Sequence, residues 1–439
     1  MMAIDKARLP EFLHSRRWFG GKASPVKNVE VIEQIELGSY TLMVLEVVYE
    51  LGLPERYSAP LRTRPDGSLE EGLEDDDLAR ELLGVVRQQR KVAGARGWLR
   101  GEYLDEPVQL RELAPKPSVR QITVEQSNTS VVFDERVIMK LIRKIDFGNS
   151  PEWEMGQFLR KHGFRHMPAL LGGLVLEGAV HSTVAVVHQF VHVESDGWAW
   201  MVGQFRASPT PSASALAEVR QLGARLAEMH AVLATPTTDP GFAPEPILRE
   251  DLQRWASSMI GELGVTIAHA RDRVPELLRL HDPLIERINK LAGLEPSGLK
   301  IRHHGDLHLG QTLRSRGDWL IFDFEGEPVR TYVQRREKHT PLRDVAGMLR
   351  SFAYASATVE LEAGVQAGDR VGPTREAFLD GYRRASRVKN LLPRDKDFDV
   401  VLQALEIEKV LYELRYEMSH RPDWVAIPVR TLLMLEEGR

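Results

Sequence analysis

The chain has 439 residues, 43% of them apolar, which is long enough for two or three domains with a sizeable core. Its net charge of −5 and pI near 6.3 argue against nucleic acid or an anionic membrane as the main partner. The absence of cysteine excludes disulfides and thiolate metal sites, and the polar start, without a signal-peptide core or any apolar run near the ~20 residues of a membrane span, predicts a cytoplasmic protein.

Residues 1–90 are expected to form a β-rich subdomain. Tyr40–Tyr49 is a β-type run, and the turns around the runs of this region are rich in Pro and Gly. An acidic patch at residues 74–77 is interpreted as the solvated start of a helix, because Asp77 precedes the pattern Leu78-x-x-x-Leu82-Leu83.

Residues 91–195 are expected to form an N-lobe whose sheet and helix clamp a nucleotide. The β-type run 137–139 ends in Lys140, the kind of strand lysine that grips the α- and β-phosphates in protein kinases. Upstream, a strand, a polar turn and a returning strand are predicted over residues 122–133. Neither a G-x-G-x-x-G loop nor a P-loop is present. The hydroxyls and amides that could cover phosphates in this turn belong to Ser127, Asn128, Thr129 and Ser130.

A helix is predicted from Pro151, with acidic residues in its first turn and apolar residues at spacings of three and four. Glu152 and Glu154 are both candidates for orienting Lys140. We favour Glu154, because the helix dipole alone explains an acidic residue at the position of Glu152, nearest the helix start.

From residue 196 to residue 439 the pattern is mostly helical, which predicts a helical C-lobe. Apolar residues recur every three to four positions over residues 216–233, as one buried helix face requires. His230 lies in this pattern and is expected at the edge of the core, without a catalytic role.

The most informative stretch is the pair of segments 304–311 and 321–325. Asp306 and Gln311 are five residues apart, like the base and the metal-binding amide of the protein-kinase loop H-R-D-x-x-x-x-N, with Gln in place of Asn. Asp323 follows a short apolar run that predicts a buried strand, so its carboxylate is expected at the strand end. Phosphoryl transfer needs such groups, because the protein mainly positions the reactants and neutralises charge. The spacing predicts a kinase that uses Mg-ATP, with Asp306 as base and Gln311 and Asp323 as metal ligands.

The adjacent histidines His303 and His304 lack a third ligand at zinc-like spacing, so a hydrogen bond that braces the loop is expected instead.

A helix over residues 399–419 offers a candidate sugar site. Its buried stripe is expected at residues 407, 411, 414 and 418. Aromatic rings and charged groups recur on the opposite side, which suits sugar recognition but is equally typical of a solvated helix face. The residues of that side are Lys409, Tyr412, Glu413, Tyr416 and His420.

Seven segments spread over nearly the whole chain resemble the bacterial maltokinases, within the aminoglycoside-phosphotransferase-like group. They are RWFGGK (17–22), QSNTS (126–130), E-x-G-x-FL (154–159), HGDLHLGQ (304–311), DFEGEP (323–328), PLRDVAGML (341–349) and RPDW (421–424). The resemblance implies transfer of the ATP γ-phosphate to the anomeric hydroxyl of maltose, which gives maltose 1-phosphate for α-glucan (glycogen) synthesis.

The same resemblance implies a set of roles. Asp306, Gln311, Asp323, Lys140 and Glu154 fall on catalytic, metal and nucleotide positions of the family. The C-terminal helix falls in its acceptor region, and Glu325 is expected to touch metal or sugar. The run 184–191 resembles a kinase hinge strand, whose backbone amides meet adenine, which marks Gln189 and Val191. The cap could contact trehalose synthase.

The predicted architecture is a bilobal, protein-kinase-like α+β fold with a β-rich cap, a small sheet lobe and a helical C-terminal lobe. Alternatives are a kinase for glucosamine or another small sugar, an aminoglycoside phosphotransferase, and an ATP-binding module without catalytic activity. Drug-modifying relatives lack the RWFGGK motif, and the complete set of catalytic groups argues against a silent module.

Overall fold

The computed structural model describes residues 4–105, 107–122, 128–271, 273–363 and 369–436. These residues divide into two compact units. Unit 1 runs up to Arg160 and includes Pro168–His192, and unit 2 consists of Lys161–Met167 and the chain from Val193 onward. Sheets dominate unit 1 and helices dominate unit 2, which confirms the predicted α+β class. Within the described ranges no helix is long and apolar enough to cross a membrane. The domain limits at residues 90 and 195 stay predictions.

Unit 1 contains twelve strands and four helices among its described residues. The strands are β1 (Val26–Leu37), β2 (Tyr40–Tyr49), β3 (Glu55–Thr63), β4 (Leu69–Glu71), β5 (Lys91–Ala93), β6 (Gly97–Tyr103), β7 (Val119–Ile122), β8 (Thr129–Phe133), β9 (Val137–Leu141), β10 (Lys144–Ile145), β11 (Leu170–Gly178) and β12 (Ser182–Gln189). The helices are α1 (Leu9–Ser15), α2 (Asp76–Arg87), α3 (Val108–Arg111) and α4 (Pro151–Lys161).

Two antiparallel sheets organise this unit. The first has the order β1-β2-β3-β10, with β4 paired to β3, and the second has the order β5-β6-β11-β12-β9-β8-β7. Strand β10 directly follows the β9 segment in the chain, so the polypeptide passes from the second sheet back to the first just after Lys140.

Strand β2 is apolar on both faces because each face packs into a different core. Leu42 and Val44 belong to the core shared with α2 and the second sheet, whereas Met43 and Leu45 belong to a core with α1 and Phe19. Alternate side chains of a strand point to opposite faces, so a strand covered on both sides reads as a continuous apolar run. The predicted strand is confirmed with the same bounds.

The acidic patch is a helix start, as the sequence predicted. The Asp75 carboxylate accepts hydrogen bonds from the backbone N–H groups of Asp77 at 2.8 Å and of Leu78 at 3.4 Å. This is an N-cap, which satisfies backbone donors that have no partner within the helix.

Unit 2 contains short strands and nine helices among its described residues. The strands are β13 (Ser195–Asp196), β14 (Glu245–Pro246), β15 (Leu299–Lys300), β16 (Thr312–Ser315) and β17 (Asp318–Ile321). The helices are α5 (Gly197–Ala207), α6 (Ala213–Leu233), α7 (Arg249–Ala270), α8 (Glu276–Ala292), α9 (Tyr332–Arg335), α10 (Leu342–Ala363), α11 (Val371–Ala385), α12 (Asp395–His420) and α13 (Ala426–Glu436).

Helices α6 and α12 confirm the two helical predictions for this unit. Helix α12 begins four residues earlier than predicted, after Pro393, with Asp395 and Asp397 in its first turn. Acidic residues at this end favour the helix, because its unpaired N–H groups carry partial positive charge.

Helices α6 and α11 pack with their backbones nearly in contact. A Cβ atom on Gly381 would lie 1.9 Å from the carbonyl oxygen of Arg220, and one on Gly223 would lie 2.2 Å from that of Phe378. The two glycines therefore set the distance between the helices.

We expect Gly381→Ala to destabilise the protein by about 1–3 kcal/mol, because the added methyl group forces the two helices apart. Urea unfolding, followed by circular dichroism, measures this change. The matched control is Gly261→Ala in α7, where nothing lies within 4 Å of the new Cβ atom. That variant should gain about 0.5–1 kcal/mol from helix propensity. Equal unfolding midpoints for the two variants would contradict the packing argument.

Candidate active site

The predicted metal ligands lie side by side in unit 2. Gln311 ends a short 3₁₀ turn, Leu309–Gln311, and its side-chain Nε2 donates a hydrogen bond to Asp323 Oδ2 at 2.9 Å. An amide and a carboxylate offer oxygen ligands of the kind that Mg²⁺ prefers. The pair fits the ion, provided that the amide turns its oxygen towards it.

Asp323 has a left-handed backbone conformation, with φ of 67°. It follows β17 by two residues, at the end of the predicted strand. Such a conformation costs a non-glycine residue of order 1–3 kcal/mol and persists where neighbours hold it in place. Here the backbone N–H of Phe322 donates to the carbonyl of Gln311 at 3.1 Å, so the segment before Asp323 is tied to the amide ligand.

The predicted catalytic loop is anchored by the buried carboxylate of Asp344, in the first turn of α10. Asp344 Oδ2 accepts a hydrogen bond from the backbone N–H of His304 at 2.8 Å, and Oδ1 accepts one from that of Gly305 at 2.9 Å. His230 Nε2 lies 3.0 Å from Oδ2. Two consecutive backbone amides next to Asp306 are thus fixed by one side chain.

This carboxylate remains ionised in the interior. Burial by itself raises the pKa of Asp344, but the hydrogen bond with His230 and the nearby His303 outweigh it, and the pKa stays well below its usual range. On its other side His230 contacts the Tyr382 hydroxyl, with 2.9 Å between Nδ1 and the oxygen. His230 is completely buried in this network, deeper than the core edge that the sequence predicted.

The prediction for His304 is confirmed, since this side chain braces the loop. Its Nε2 donates to the carbonyl oxygen of Phe322 at 2.9 Å, and its Nδ1 accepts from the backbone N–H of Asp306 at 3.4 Å. The ring joins the backbone of the predicted base to the segment that carries Asp323. It therefore fixes the two acidic residues relative to each other.

Lys140 lies in strand β9 of unit 1, as predicted, but its glutamate partner is Glu152. The distance from Lys140 Nζ to Glu152 Oε2 is 3.0 Å, and both side chains are largely buried. The preference for Glu154 is therefore corrected. On α4, Glu152 shares a face with the buried residues Met155 and Leu159, whereas Glu154 lies about 200° further round the helix.

Strands β7 and β8 flank the predicted turn and pair antiparallel, while residues 123–127 lie outside the described part of the chain. Ser127 lies outside the described residues. Asn128 Oδ1 accepts from the backbone N–H of Arg143 at 3.1 Å, and Thr129 Oγ1 accepts from its guanidinium at 2.8 and 3.0 Å. Ser130 is buried in β8, directly opposite Lys140. The sequence reasoning assigned no role to Arg143.

The predicted hinge lies at the end of β12. The backbone N–H of Gln189 donates a hydrogen bond to the carbonyl of Ala169 at 2.8 Å, within the sheet. The contact of Gln189 with a nucleotide stays a prediction. Val191 follows the end of the strand by two residues, and its role stays a prediction.

Helix α12 brings Lys409 to the predicted base. Lys409 Nζ lies 3.2 Å from Asp306 Oδ1 and 3.0 Å from Glu327 Oε1. Burial lowers the pKa of the Lys409 ammonium, but the two carboxylates raise it further, and the balance lies above its usual range. Burial likewise opposes ionisation of Glu327, yet Lys409 and Arg330 lower its pKa to about 2. Glu327 lies in the DFEGEP segment, although the sequence reasoning gave it no role.

The predicted aromatic stripe is present beside this lysine. Lys409 Nζ lies 4.8 Å from the centre of the Tyr412 ring, and the rings of Tyr412 and Tyr416 are stacked with 6.4 Å between centres. Tyr416 is two-fifths exposed. Glu325 is half-buried, and its backbone carbonyl accepts a hydrogen bond from Arg335 at 3.3 Å.

Glu413 does not belong to this stripe, which corrects the interpretation of α12 as having one open polar face. Its carboxylate is bound by the Arg350 guanidinium at 2.8 and 3.0 Å, and the residue is buried. Helix α10 covers this side of α12, and Arg350 projects from it. The sequence could not reveal this cover, because the two residues are 63 positions apart.

A cavity of about 260 Å³ adjoins Asp306, Lys409 and Tyr412 within unit 2. Helices α7, α10 and α12 and the segment after Asp323 contribute to its wall. This volume is slightly below the range of roughly 300–1,000 Å³ that is typical of ligand pockets. The cavity is the natural place for an acceptor beside the predicted base.

Comparison with known proteins identifies the family. Residues 12–95 match the model of the maltokinase N-terminal cap domain. A glucosamine kinase of Streptacidiphilus jiangxiensis is 30% identical over 374 residues, which cover 80% of this chain and 83% of that kinase. This chain belongs to the capped, maltokinase-like sugar kinases.

Solved structures agree with this family. One crystal form of a glucosamine kinase matches this chain with a TM-score of 0.72 and 25% identity, covering 95% of each chain. A glucosamine kinase in complex with glucosamine, ADP and inorganic phosphate has a TM-score of 0.70 at 24% identity, covering 97% of this chain and 98% of that one. The protein is thus a sugar kinase with the fold of its family.

We expect the stability of this capped sugar kinase to fall between pH 7 and pH 5 because of His303. Burial lowers the pKa of this histidine from 6.5 to about 3, so the unfolded chain binds the proton first as the pH falls. His303 alone therefore lowers the free energy of unfolding by about 2 kcal/mol at pH 5, above the range in which ordinary carboxyl groups titrate.

Chemical denaturation at pH 8 and pH 5 measures this loss. The variant His303→Gln should show a smaller difference between the two pH values. His281→Gln, at an exposed position, is the control and should behave as the parent protein. An unchanged pH difference in His303→Gln would refute the assignment.

Proposed function

We propose that this enzyme transfers the γ-phosphoryl group of ATP to the anomeric hydroxyl of maltose and forms maltose 1-phosphate for α-glucan synthesis. The observation that carries the choice of acceptor is the charge balance of the cavity beside Asp306. Among the described residues that line it are four carboxylates and four cationic side chains. They are Glu262, Asp306, Glu327, Glu408, Arg330, Arg343, Lys409 and Arg415.

Each of these carboxylates is paired with a cation of the same cavity. Lys409 forms ion pairs with both Asp306 and Glu327, and the Arg343 guanidinium lies 2.9 Å from the Glu408 carboxylate. The fourth pair joins Arg415 and Glu262 at 2.5 Å. An amino sugar such as glucosamine brings an ammonium group, which has to find a negative partner when it leaves water. The balanced cavity therefore favours a neutral sugar.

The chemistry assigned to the side chains follows from their contacts. Lys409 holds Asp306 Oδ1, so the acceptor hydroxyl is expected at Oδ2, where the carboxylate takes its proton as the oxygen attacks the γ-phosphorus. ADP leaves in line. Mg²⁺, bound by Gln311 and Asp323, would neutralise charge on the phosphates, and Lys140, held by Glu152, would contact the phosphates of ATP.

The acceptor is expected to lie against Tyr412 and Tyr416, with its hydroxyl groups near Lys409 and Glu325. Aromatic rings suit the apolar faces of sugar rings, and a stacked pair offers more area than one ring. Glu413 is left out of this set, because its partner is Arg350. The match of residues 12–95 to the maltokinase cap also supports maltose.

A glucosamine kinase is the second candidate. The similarity to glucosamine kinases over most of the chain favours it. These relatives are 30% identical or less, a level at which the acceptor can differ. A complex with trehalose synthase through the cap remains part of the proposal, and co-elution of the two purified proteins tests it.

The choice between acceptors predicts the result of a sugar panel. ADP release in a coupled assay should be fastest with maltose and at least about tenfold slower with glucosamine. A tenfold difference in rate corresponds to roughly 1.4 kcal/mol of activation free energy. Phosphorus NMR of the product should locate the ester at the anomeric position. Faster turnover with glucosamine would reject the maltose proposal and leave the kinase assignment intact.

The role of Asp306 predicts that Asp306→Asn lowers kcat by about 10²–10⁴-fold, because the amide cannot accept the proton. Asp323→Ala should instead lose most activity, and the remaining rate should no longer depend on the Mg²⁺ concentration. Asp282→Asn, at an exposed position, serves as the control. Turnover of Asp306→Asn near the parent value would remove the assigned base.

A further inference from the structure

Arg143 is buried in unit 1 at the junction where the chain passes from the second sheet to the first. The proposed reaction assigns it no role. It follows Lys140 by three residues, at the passage from β9 to β10, and is 1% exposed. A buried guanidinium is costly unless charges and hydrogen bonds compensate for lost water. Burial lowers the pKa of Arg143 and Glu71 raises it. Burial has the larger effect, and the resulting pKa is about 10.

One side of this junction belongs to the cap. The Arg143 guanidinium forms an ion pair with Glu71, at the end of β4, and lies over the Trp18 ring at 4.9 Å. Trp18 Nε1 donates to both oxygens of Glu71, at 3.1 and 3.2 Å. The backbone N–H of Ser58, in β3, donates to the Arg143 carbonyl at 2.8 Å. Trp18 lies in the RWFGGK segment, which the catalytic assignment leaves without a function.

The other side holds the residues at the start of β8. The Arg143 backbone N–H donates to Asn128 Oδ1, and its Nε and Nη2 atoms both donate to Thr129 Oγ1. Nη2 thus contacts the cap carboxylate and the Thr129 hydroxyl at once. A planar guanidinium presents its donors in a fixed geometry, so a shift of one partner strains the bond to the other.

We propose that Arg143 is a positioning residue of the nucleotide clamp, through which the cap residues Glu71 and Trp18 fix Asn128 and Thr129 in the place required for ATP binding. The inference rests on the proposed role of Lys140 and this turn in binding ATP. A change on the cap side should then alter nucleotide affinity without touching nucleotide or sugar.

The test uses Glu71→Gln, which removes the cap charge, and Thr129→Val, which removes the acceptor hydroxyl from the other side. Each should raise the KM for ATP roughly three- to tenfold, the range of network effects on coupling. For Glu71→Gln, which lies outside the proposed binding site, the KM for the sugar and kcat should stay within about twofold. Thr129→Ser keeps a hydroxyl for Arg143 and should restore most of the ATP affinity.

Arg62→Met is the matched control in the cap. Arg62 also pairs with a glutamate, Glu70, and lies over an aromatic ring, that of Tyr40 at 4.6 Å. It should leave the KM for ATP unchanged. Thermal unfolding shows that each variant is folded at the assay temperature, and calorimetric titration with ADP gives affinity where turnover is too low to measure.

Lys140→Met separates the two proposals. If it raises the KM for ATP while folded Glu71→Gln and Thr129→Val do not, Arg143 has no positioning role and the clamp assignment stands. If Lys140→Met leaves the KM unchanged, the clamp assignment itself fails. An equal rise in the KM for ATP and for the sugar would also overturn the inference, because it indicates a general loss of structure.

Discussion

The arrangement of the catalytic loop depends on one buried carboxylate, that of Asp344. An unpaired ion in the interior would be very unfavourable, so Asp344 is compatible with the fold only while His230 and the amides of His304 and Gly305 surround it. Those amides belong to a loop outside the helices and strands, in which Gly305 has a left-handed φ of 85°. The carboxylate and the two amides therefore satisfy each other's hydrogen-bonding needs. The backbone next to the predicted base, Asp306, is consequently held by a buried residue of the core.

Helix α12 illustrates the same principle on a larger scale. It is buried on most of its surface, and its charged residues are consequently paired with arginines of neighbouring elements, as Glu406 is with Arg375 and Glu413 with Arg350. Lys409 differs in pairing with the carboxylates of the catalytic loop and of Glu327. The helix thus contributes both to the core and to the wall of the proposed acceptor cavity, so its polar residues do not all belong to one solvent-exposed face.

In unit 1 the cap shares a hydrophobic core with the elements that are proposed to bind the nucleotide. Strand β2 contributes alternate residues to two cores, and one of these cores continues into the sheet that carries Lys140. The buried ion pair of Arg143 and Glu71 adds a polar connection at the same junction. The cap of this sugar kinase therefore belongs to the same compact unit as the strand of Lys140, and is not a separate domain on a linker.

Features that depend on short spacing along the chain were predictable from the residues alone. The five-residue interval from Asp306 to Gln311, the strand before Asp323 and the strand of Lys140 all follow from local periodicity and motif order, and a cap was recognisable from its resemblance. The folded chain was needed to show that Glu152 pairs with Lys140, that Glu413 pairs with Arg350, and that Arg143 joins the cap to Thr129. The physical reason is that periodicity shows which residues share a helix face, whereas the partner of a buried charge depends on which distant segment covers that face.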